Sequence, residues 1–462
     1  MAERSVQAKG DTIRAVQGAA DATRGWLLKG GRVVDPANNV DGKADVLILN
    51  GKVVEVGPDL PRPAGMGEVR ELDCDGLVVL PGLVDMHVHL REPGQERKET
   101  IASGARAALA GGFTSIACMP NTDPPLDTAA AITYVREKAT AARAARVYPI
   151  GAITKGRRGE ELAPIGEMVE AGAVAVSDDG LPVANASLLR HALEYSRRWG
   201  IPVIEHCDDP TLAPDGVMNE GPVSLRLGLR GMPAEGEVSW VFRDCLLARL
   251  AGGRLHIAHL SAAGSVEVVR WAKSQGIAVT AEVTPHHLLL TDELVASSGY
   301  DTSTKVNPPL RSEADRQAVL TALQEGVIDC IASDHAPHME EEKNREYDLA
   351  PFGMVGLETT LALVMTRLID EGYLSWSAAV ERLAVAPARI LRLPGGAGTL
   401  SPGAMADVVV VDPRAEWVVD PARFYSRGRN TPFAGWKLRG QVVYGFVGGE
   451  LRFDRTVGGF LD

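Results

Sequence analysis

Short apolar runs alternate with amphipathic stretches along most of this chain, and the alternation changes character twice. From Trp26, the segments LLKGGRVVDP and ADVLILNGKVVEVG have strand-length patterning, and Asn50-Gly51 predicts a hairpin turn because both residues tolerate positive φ. From LVDMHVH onward the chain repeats a different unit. The runs LVDMHVH, FTSIACMP, VYPIGAIT, AVAVSDD, PVIEHC, LHIAHLS, AVTAEVTPHH and IDCIASDHAP are eight strand candidates. Between them lie helical stretches such as ETIASGARAALAGG, DTAAAITYVREKATAARA, NASLLRHALEYSRRWG and SVEVVRWAKSQG, several ending in glycine as helix C-termini do. Strand, helix, strand in that order is the sequence form of a parallel sheet. After Pro387 the pattern reverts to β in ADVVVVDP, WVVD and GQVVYGFVGGELR.

The architecture this predicts is α/β: a (β/α)8 barrel over residues 81–394, with residues 26–80 and 395–462 joined in one small flanking β-sandwich domain built from both chain ends. Residues 1–25 are expected to form a mobile extension. They lack the apolar core of a secretory signal, and Glu3, Asp11 and Asp21 argue against a transit peptide.

In a barrel of this kind chemistry sits where the strands end, and here nearly every apolar run ends in His, Asp or Asn. His87 and His89 share one face of a strand because side chains alternate, and two imidazoles at that spacing suit a divalent metal. Alone, such a pair equally fits two polar residues on a half-exposed strand. His206 ends the fifth run, His259 the sixth and Asp334 the eighth, while the fourth ends in Asp178-Asp179. His191 falls within a helical stretch and His256 inside a strand, so neither is assigned to the metal. The ligand set exceeds one tetrahedral zinc site, which favours two Zn2+ ions per chain over one; cobalt and manganese remain open from ligand type alone. Metals of this kind lower the pKa of water and polarise a carbonyl, and Asp334 is positioned to carry a proton from the attacking water to a leaving nitrogen.

Composition narrows the class without changing it. The 462 residues are 45% hydrophobic and 23% charged, with a net charge of −12, a balance that excludes general attraction to nucleic acid or an anionic membrane. An anionic substrate would then need a local cationic pocket. The five cysteines are widely spaced and form no C-x-x-C pair, which predicts reduced thiols and a cytoplasmic protein. No apolar run reaches the roughly 18–20 residues of a membrane helix.

The segment LPGLVDMHVHLREPGQERKET resembles the D-x-H-x-H-x-R-x-P-G signature of the dihydroorotases, within the amidohydrolase superfamily. MPNTDP, SDDG, EHCDD, AHLSAAGS, EVTPHHLLLT, KVNPPLR, SDHAPH and PFGMVGLET resemble further family motifs in the same order, and GTLSPGAMADVVVVDP resembles the return to the β domain. The resemblance implies that His87 and His89 hold one metal and His206 and His259 the other. Asp179 rather than Asp178 would bridge them, and Asp334 would be both ligand and acid/base. It further implies that Arg91, Asn121 and His338 receive the substrate's α-carboxylate, that His89 also meets substrate, and that Asn307, Phe352 and Gly353 contact its ring. A guanidinium fork suits a carboxylate, the group that separates dihydroorotate from neutral cyclic amides.

Many relatives in the superfamily bridge their metals with a carboxylated lysine at the end of the fourth strand. This chain has Ser177-Asp178-Asp179 there, and Lys155 lies one strand too early, so it resembles the branch bridged by aspartate. The implied reaction is the reversible cyclisation of N-carbamoyl-L-aspartate to L-dihydroorotate in pyrimidine biosynthesis. Rival readings are a hydantoinase- or allantoinase-like cyclic amidase, with less use for the Arg91, Asn121 and His338 clamp, and a non-catalytic partner of aspartate transcarbamoylase, which would have less reason to keep the whole ligand set. One association is implied by the family, with aspartate transcarbamoylase, which makes the substrate; a homo-oligomer is compatible with the sequence, which does not specify the oligomeric state. The charged run Glu340 to Glu346 reads as the solvated face of a mobile loop beside the site.

Overall fold

The computed structural model describes residues 24–63 and 67–461, so the expected N-terminal extension lies outside them but for its last two residues. The chain opens in strand β1 (Gly25–Asp35), which pairs antiparallel with β2 (Val40–Leu49), and β2 turns into β3 (Lys52–Gly57). The turn between them is Asn50-Gly51 at φ 50° and 78°, the left-handed pair a tight hairpin requires. Strands β4 (Val69–Asp73) and β5 (Val78–Pro81) then lie parallel to β1.

The barrel follows as β6 (Leu83–Val88), β7 (Phe113–Cys118), β8 (Arg146–Gly151), β9 (Ala175–Ser177) and β10 (Val203–Glu205). A short ribbon, β11 (Met218–Asn219) with β12 (Gly231–Met232), interrupts it before β13 (Leu255–Ile257), β14 (Val279–Val283) and β15 (Cys330–Ile331). These eight barrel strands pair in sequence order, all parallel, and the ring closes where the His89 amide donates to the His335 carbonyl at 2.8 Å. Every predicted run supplies one strand. Met86, Ala117, Ile150, Ala175, Ile204 and Cys330, one from each of six strands, form an interior cluster closed by Ala386, Ile390 and Leu391. Amphipathic helices such as Ile101–Ala110, Ala186–Ser196 and Ala263–Ser274 bury their apolar faces on the strands' outer side. His191 sits exposed on the second of them, while His256 is buried in β13.

The observed strands stop earlier than the apolar pattern does. The run ending in His286-His287 stops as a strand at Val283, because Thr284 caps a short helix, Pro285–Leu289, accepting the His287 amide. The last run ends at Ile331, three residues before Asp334 takes φ 47°.

The chain then returns to the first sheet with β16 (Val408–Val418), β17 (Lys437–Val447), β18 (Glu450–Asp454) and β19 (Gly459–Phe460). The sheet's centre is the antiparallel pairing of β16 with β5, Val408 opposite Pro81, so both ends of the chain form a single nine-stranded sheet. The four-valine run of β16 serves two cores by alternation: Val408 and Val410 face the sheet's own core, Val409 and Val411 the barrel. All five cysteines are buried and unpaired. No helix among the described residues is long and apolar enough to cross a membrane.

Candidate metal centre

Strand β6 and the loops that leave the barrel strands bring His87, His89, Asp179, His206, His259 and Asp334 into one buried cluster. Each is less than a tenth exposed. The cluster consists of two triads that share one residue: His87, His89 and Asp179, and Asp179, His206 and His259. His87 Nε2 lies 3.4 Å from Asp179 Oδ1 and 3.6 Å from Asp334 Oδ1. His89 Nε2 lies 3.1 Å from Asp334 Oδ1 and 3.6 Å from Asp179 Oδ2. On the other side, Asp179 Oδ1 is 3.9 Å from His206 Nδ1 and 3.8 Å from His259 Nε2.

The adjacent aspartates have different surroundings. Asp178 turns away and accepts the amides of Ile153 and Thr154 and the Thr154 hydroxyl. Asp179 faces the imidazoles. Burial opposes its ionisation, but the charge of His87 and the contact with His259 hold its carboxyl well below the usual range. Asp334 follows the same logic: burial raises it, and the His89 hydrogen bond with the charge of His87 brings it below its ordinary value. Burial and the neighbouring His259 push His206 down to about 3, so its imidazole is neutral, the form a metal accepts.

The donor set fits divalent metal. His87 Nε2, Asp179 Oδ1 and His259 Nδ1 are buried and have no hydrogen-bond partner, an arrangement costly for a metal-free function. The outer nitrogens of the first pair are held in the manner of metal-ligating histidines: His87 Nδ1 donates to Glu282 at 2.6 Å and His89 Nδ1 to Asn121 Oδ1 at 2.8 Å. His206 and His259 contact each other at 2.9 Å.

Two of the residues that shape this centre were given no role in the sequence, although Asp85 opens the signature. Glu282 accepts from both His87 and His256. Asp85 accepts the Ser333 and His87 amides, tying β6 to β15, and burial lifts its carboxyl to about 7. Their common signal is an acid inside an otherwise apolar strand run, a position that demands a buried partner.

The predicted substrate residues line the same mouth. Asn121 is turned to His89, with its Nδ2 3.5 Å from Asp179 Oδ2. Asn307 Nδ2 donates to His206 Nε2 at 3.1 Å, and its Oδ1 is buried without a partner. Arg91 is buried, at φ 61°, and burial lowers its pKa to about 10; yet its nearest polar contacts are uncharged: Nε donates to the Pro337 carbonyl at 3.2 Å, and Nη2 lies 3.3 Å from the His338 ring. The His338 Nε2 proton goes to the Phe352 carbonyl at 2.8 Å, which leaves Arg91 and His338 as two donors side by side. Burial and the neighbouring Arg91 hold that imidazole neutral. Gly353 sits at φ 127°, and a Cβ there would stand 2.7 Å from the Ala336 Cβ, so this loop closes on the site only with glycine. Glu340–Lys343 is helical and docked, its Glu341 and Glu342 paired with Arg97 and Lys98 and its Lys343 amine donating to the Pro351 and Gly353 carbonyls.

Arg91, His259 and Asp334 all have positive φ, an unfavourable backbone for side-chain-bearing residues that costs on the order of 1–3 kcal/mol each. Three such positions in one cluster mark a site whose geometry is held by its surroundings.

The chain is similar to known proteins. The family described as Dihydro-orotase-like matches residues 76–265. A dihydroorotase from Pelotomaculum thermopropionicum is 56% identical over 92% of this chain and 97% of its own length. One from Anaeromyxobacter dehalogenans is 53% identical over the same shares. Among solved structures, the L-hydantoinase of Arthrobacter aurescens superposes with a TM-score of 0.83 at 26% identity, covering 95% of this chain and 97% of that one.

Proposed function

Because this chain belongs to the dihydroorotase family, we propose that it catalyses the reversible cyclisation of N-carbamoyl-L-aspartate to L-dihydroorotate and water, a step of pyrimidine biosynthesis. It is a hydrolase of the amidohydrolase type acting on a small molecule. The observation that carries the reading at this site is the sharing of Asp179 by two buried triads, beside an arginine whose nearest polar contacts are uncharged. The hydantoinase likeness is that of a related family on the same fold.

In this reading His87, His89 and Asp334 hold one divalent cation, His206 and His259 a second, and Asp179 contributes to both; we favour two zinc ions per chain. Bound there, such cations supply Lewis acidity, activating water and polarising the amide carbonyl. The residues do the rest. Asp334, held as a carboxylate, accepts the proton of the attacking water and returns it to the departing ring nitrogen, and the reverse direction uses the same oxygen. Arg91 and His338, with Asn121 beside them, receive the α-carboxylate and so orient the ring. Asn307 offers a buried oxygen to a ring N–H. Phe352 and Gly353 cover the ring, and their docked loop limits bulk water. A cytoplasmic location, further copies of the chain and an association with aspartate transcarbamoylase are parts of the reading that rest on the family alone.

The test is dihydroorotate ring opening by the purified protein before and after chelation, with metal counted on the same sample. Chelator-sensitive turnover, restored by zinc and with two metals per chain, is expected. Metal-replete protein that opens hydantoin or allantoin but not dihydroorotate would replace the substrate assignment.

Arg91→Ala is expected to raise KM roughly 10- to 150-fold, the equivalent of about 1.5–3 kcal/mol for a charge-assisted hydrogen bond, with a smaller loss in kcat from misorientation. An unchanged KM would remove Arg91 from the carboxylate clamp.

A further inference from the structure

Two loops, 336–338 and 352–355, carry His338, Phe352 and Gly353 of the proposed substrate site and the Pro337 carbonyl that Arg91 contacts, and one side chain from elsewhere is bonded to both. Asn430 belongs to the connection between β16 and β17, nearly a hundred residues beyond the first of these loops. It is buried, at 6% exposure. Its Oδ1 accepts the His338 amide at 3.1 Å, and its Nδ2 donates to the Ala336 carbonyl at 3.1 Å and to the Gly353 carbonyl at 3.0 Å. Its own carbonyl accepts the Val355 amide at 2.8 Å. The amide's acceptor and both donors are therefore spent on these two loops.

What these loops carry follows from contacts already described. The Pro337 carbonyl receives Arg91 Nε, and the Phe352 carbonyl receives His338 Nε2. A change in the spacing of the two loops thus changes where the Arg91 guanidinium and the His338 ring point. The connection itself is fastened independently of Asn430: the Tyr425 and Ser426 amides donate to Glu358, and the Ser426 hydroxyl to Glu99 at 2.5 Å. Losing the Asn430 amide leaves those anchors in place, together with the Ala336 amide's bond to the Met354 carbonyl at 2.8 Å, and removes the side-chain tie between the loops at the site.

We infer that Asn430 is a positioning residue for substrate recognition: it sets the separation of the loops that aim Arg91 and His338, and so tunes affinity for the carboxylate of the ring without touching the metal ligands. This rests on the carboxylate-clamp reading above. Asparagine is specifically suited to the place. Aspartate would keep the acceptor for the His338 amide but turn a carboxylate oxygen onto the carbonyls of Ala336 and Gly353, which replaces two attractions with repulsion.

The test uses the full-length metal-loaded enzyme with Asn430→Asp and Asn430→Ala, the second inserting no charge should the first fail to fold. KM for dihydroorotate is expected to rise about tenfold or more in each, with kcat within about threefold and metal per chain unchanged. KM within twofold of the parent, or losses of kcat, metal and melting temperature with no change in KM, would overturn the inference. Arg91→Ala measured alongside separates the two levels. A raised KM there with parental KM in the Asn430 variants overturns only the role of Asn430, whereas an unchanged KM for Arg91→Ala overturns the clamp and this inference with it.

Discussion

Asp334→Ala is expected to lower kcat for dihydroorotate ring opening by roughly 10²–10⁴-fold, the range a positioned general acid/base contributes, or further if metal is lost. The expectation comes from placement. Asp334 is 7% exposed and its Oδ1 is near both His89 and His87, at 3.1 and 3.6 Å. His335, the next residue, is turned to Glu99 at 3.2 Å, and Asp179 is enclosed by imidazoles on both sides. In the proposed reading binding relies on Arg91 and His338, so substrate should still associate with the variant. Steady-state rates with metal counts on the same preparation are the check. Near-parental kcat would remove Asp334 from the proton path, and Asp334→Asn, equal in size, separates loss of the base from loss of a side chain.

The second large effect is expected at Asp179. Both triads depend on this carboxylate, so Asp179→Ala should drop bound metal from two per chain to one or none and reduce turnover at least about a hundredfold. Asp178→Asn is the matched comparison. That side chain is spent on the Ile153 and Thr154 amides and the Thr154 hydroxyl, so its replacement should cost stability of about 1–3 kcal/mol while metal content holds. Metal content retained in Asp179→Ala would refute a shared ligand. Metal lost equally in both variants would do the same, by showing that the distinction between the two aspartates is false.

Much of the fold was legible because its signals are local. Each barrel strand is an apolar run bounded by a helix, and the two positive-φ residues of Asn50-Gly51 announced their turn. Strand ends were less legible: His259 and Asp334 adopt positive φ, which their residue types tolerate better than most but which no local pattern announces, and the surroundings impose it. At the site, the imidazoles and carboxylates stood at the ends of runs and so could be read, whereas the groups that orient them could not. Glu282 looks like one acid in an apolar strand until His87 and His256 are placed on either side of it. Asn121 was read as a carboxylate contact, and its hydrogen bond to His89 depends on two loops meeting. Asn430 has no local signal, since all of its partners lie far away in sequence.

The pairing of β5 with β16 also has a consequence in time. During synthesis, β5 leaves the ribosome with its outer edge open, and the strand that covers it follows roughly 330 residues later, about 15–65 s at ordinary elongation rates. For that interval an apolar edge of Val78, Val79 and Leu80 offers unpaired amides and carbonyls to any strand nearby, another nascent copy included. The N-terminal third of this protein is thus most exposed to aggregation before its last strands exist. Slower growth temperature, chaperone supply and an intact C-terminus should matter more to its yield than the stability of the finished fold.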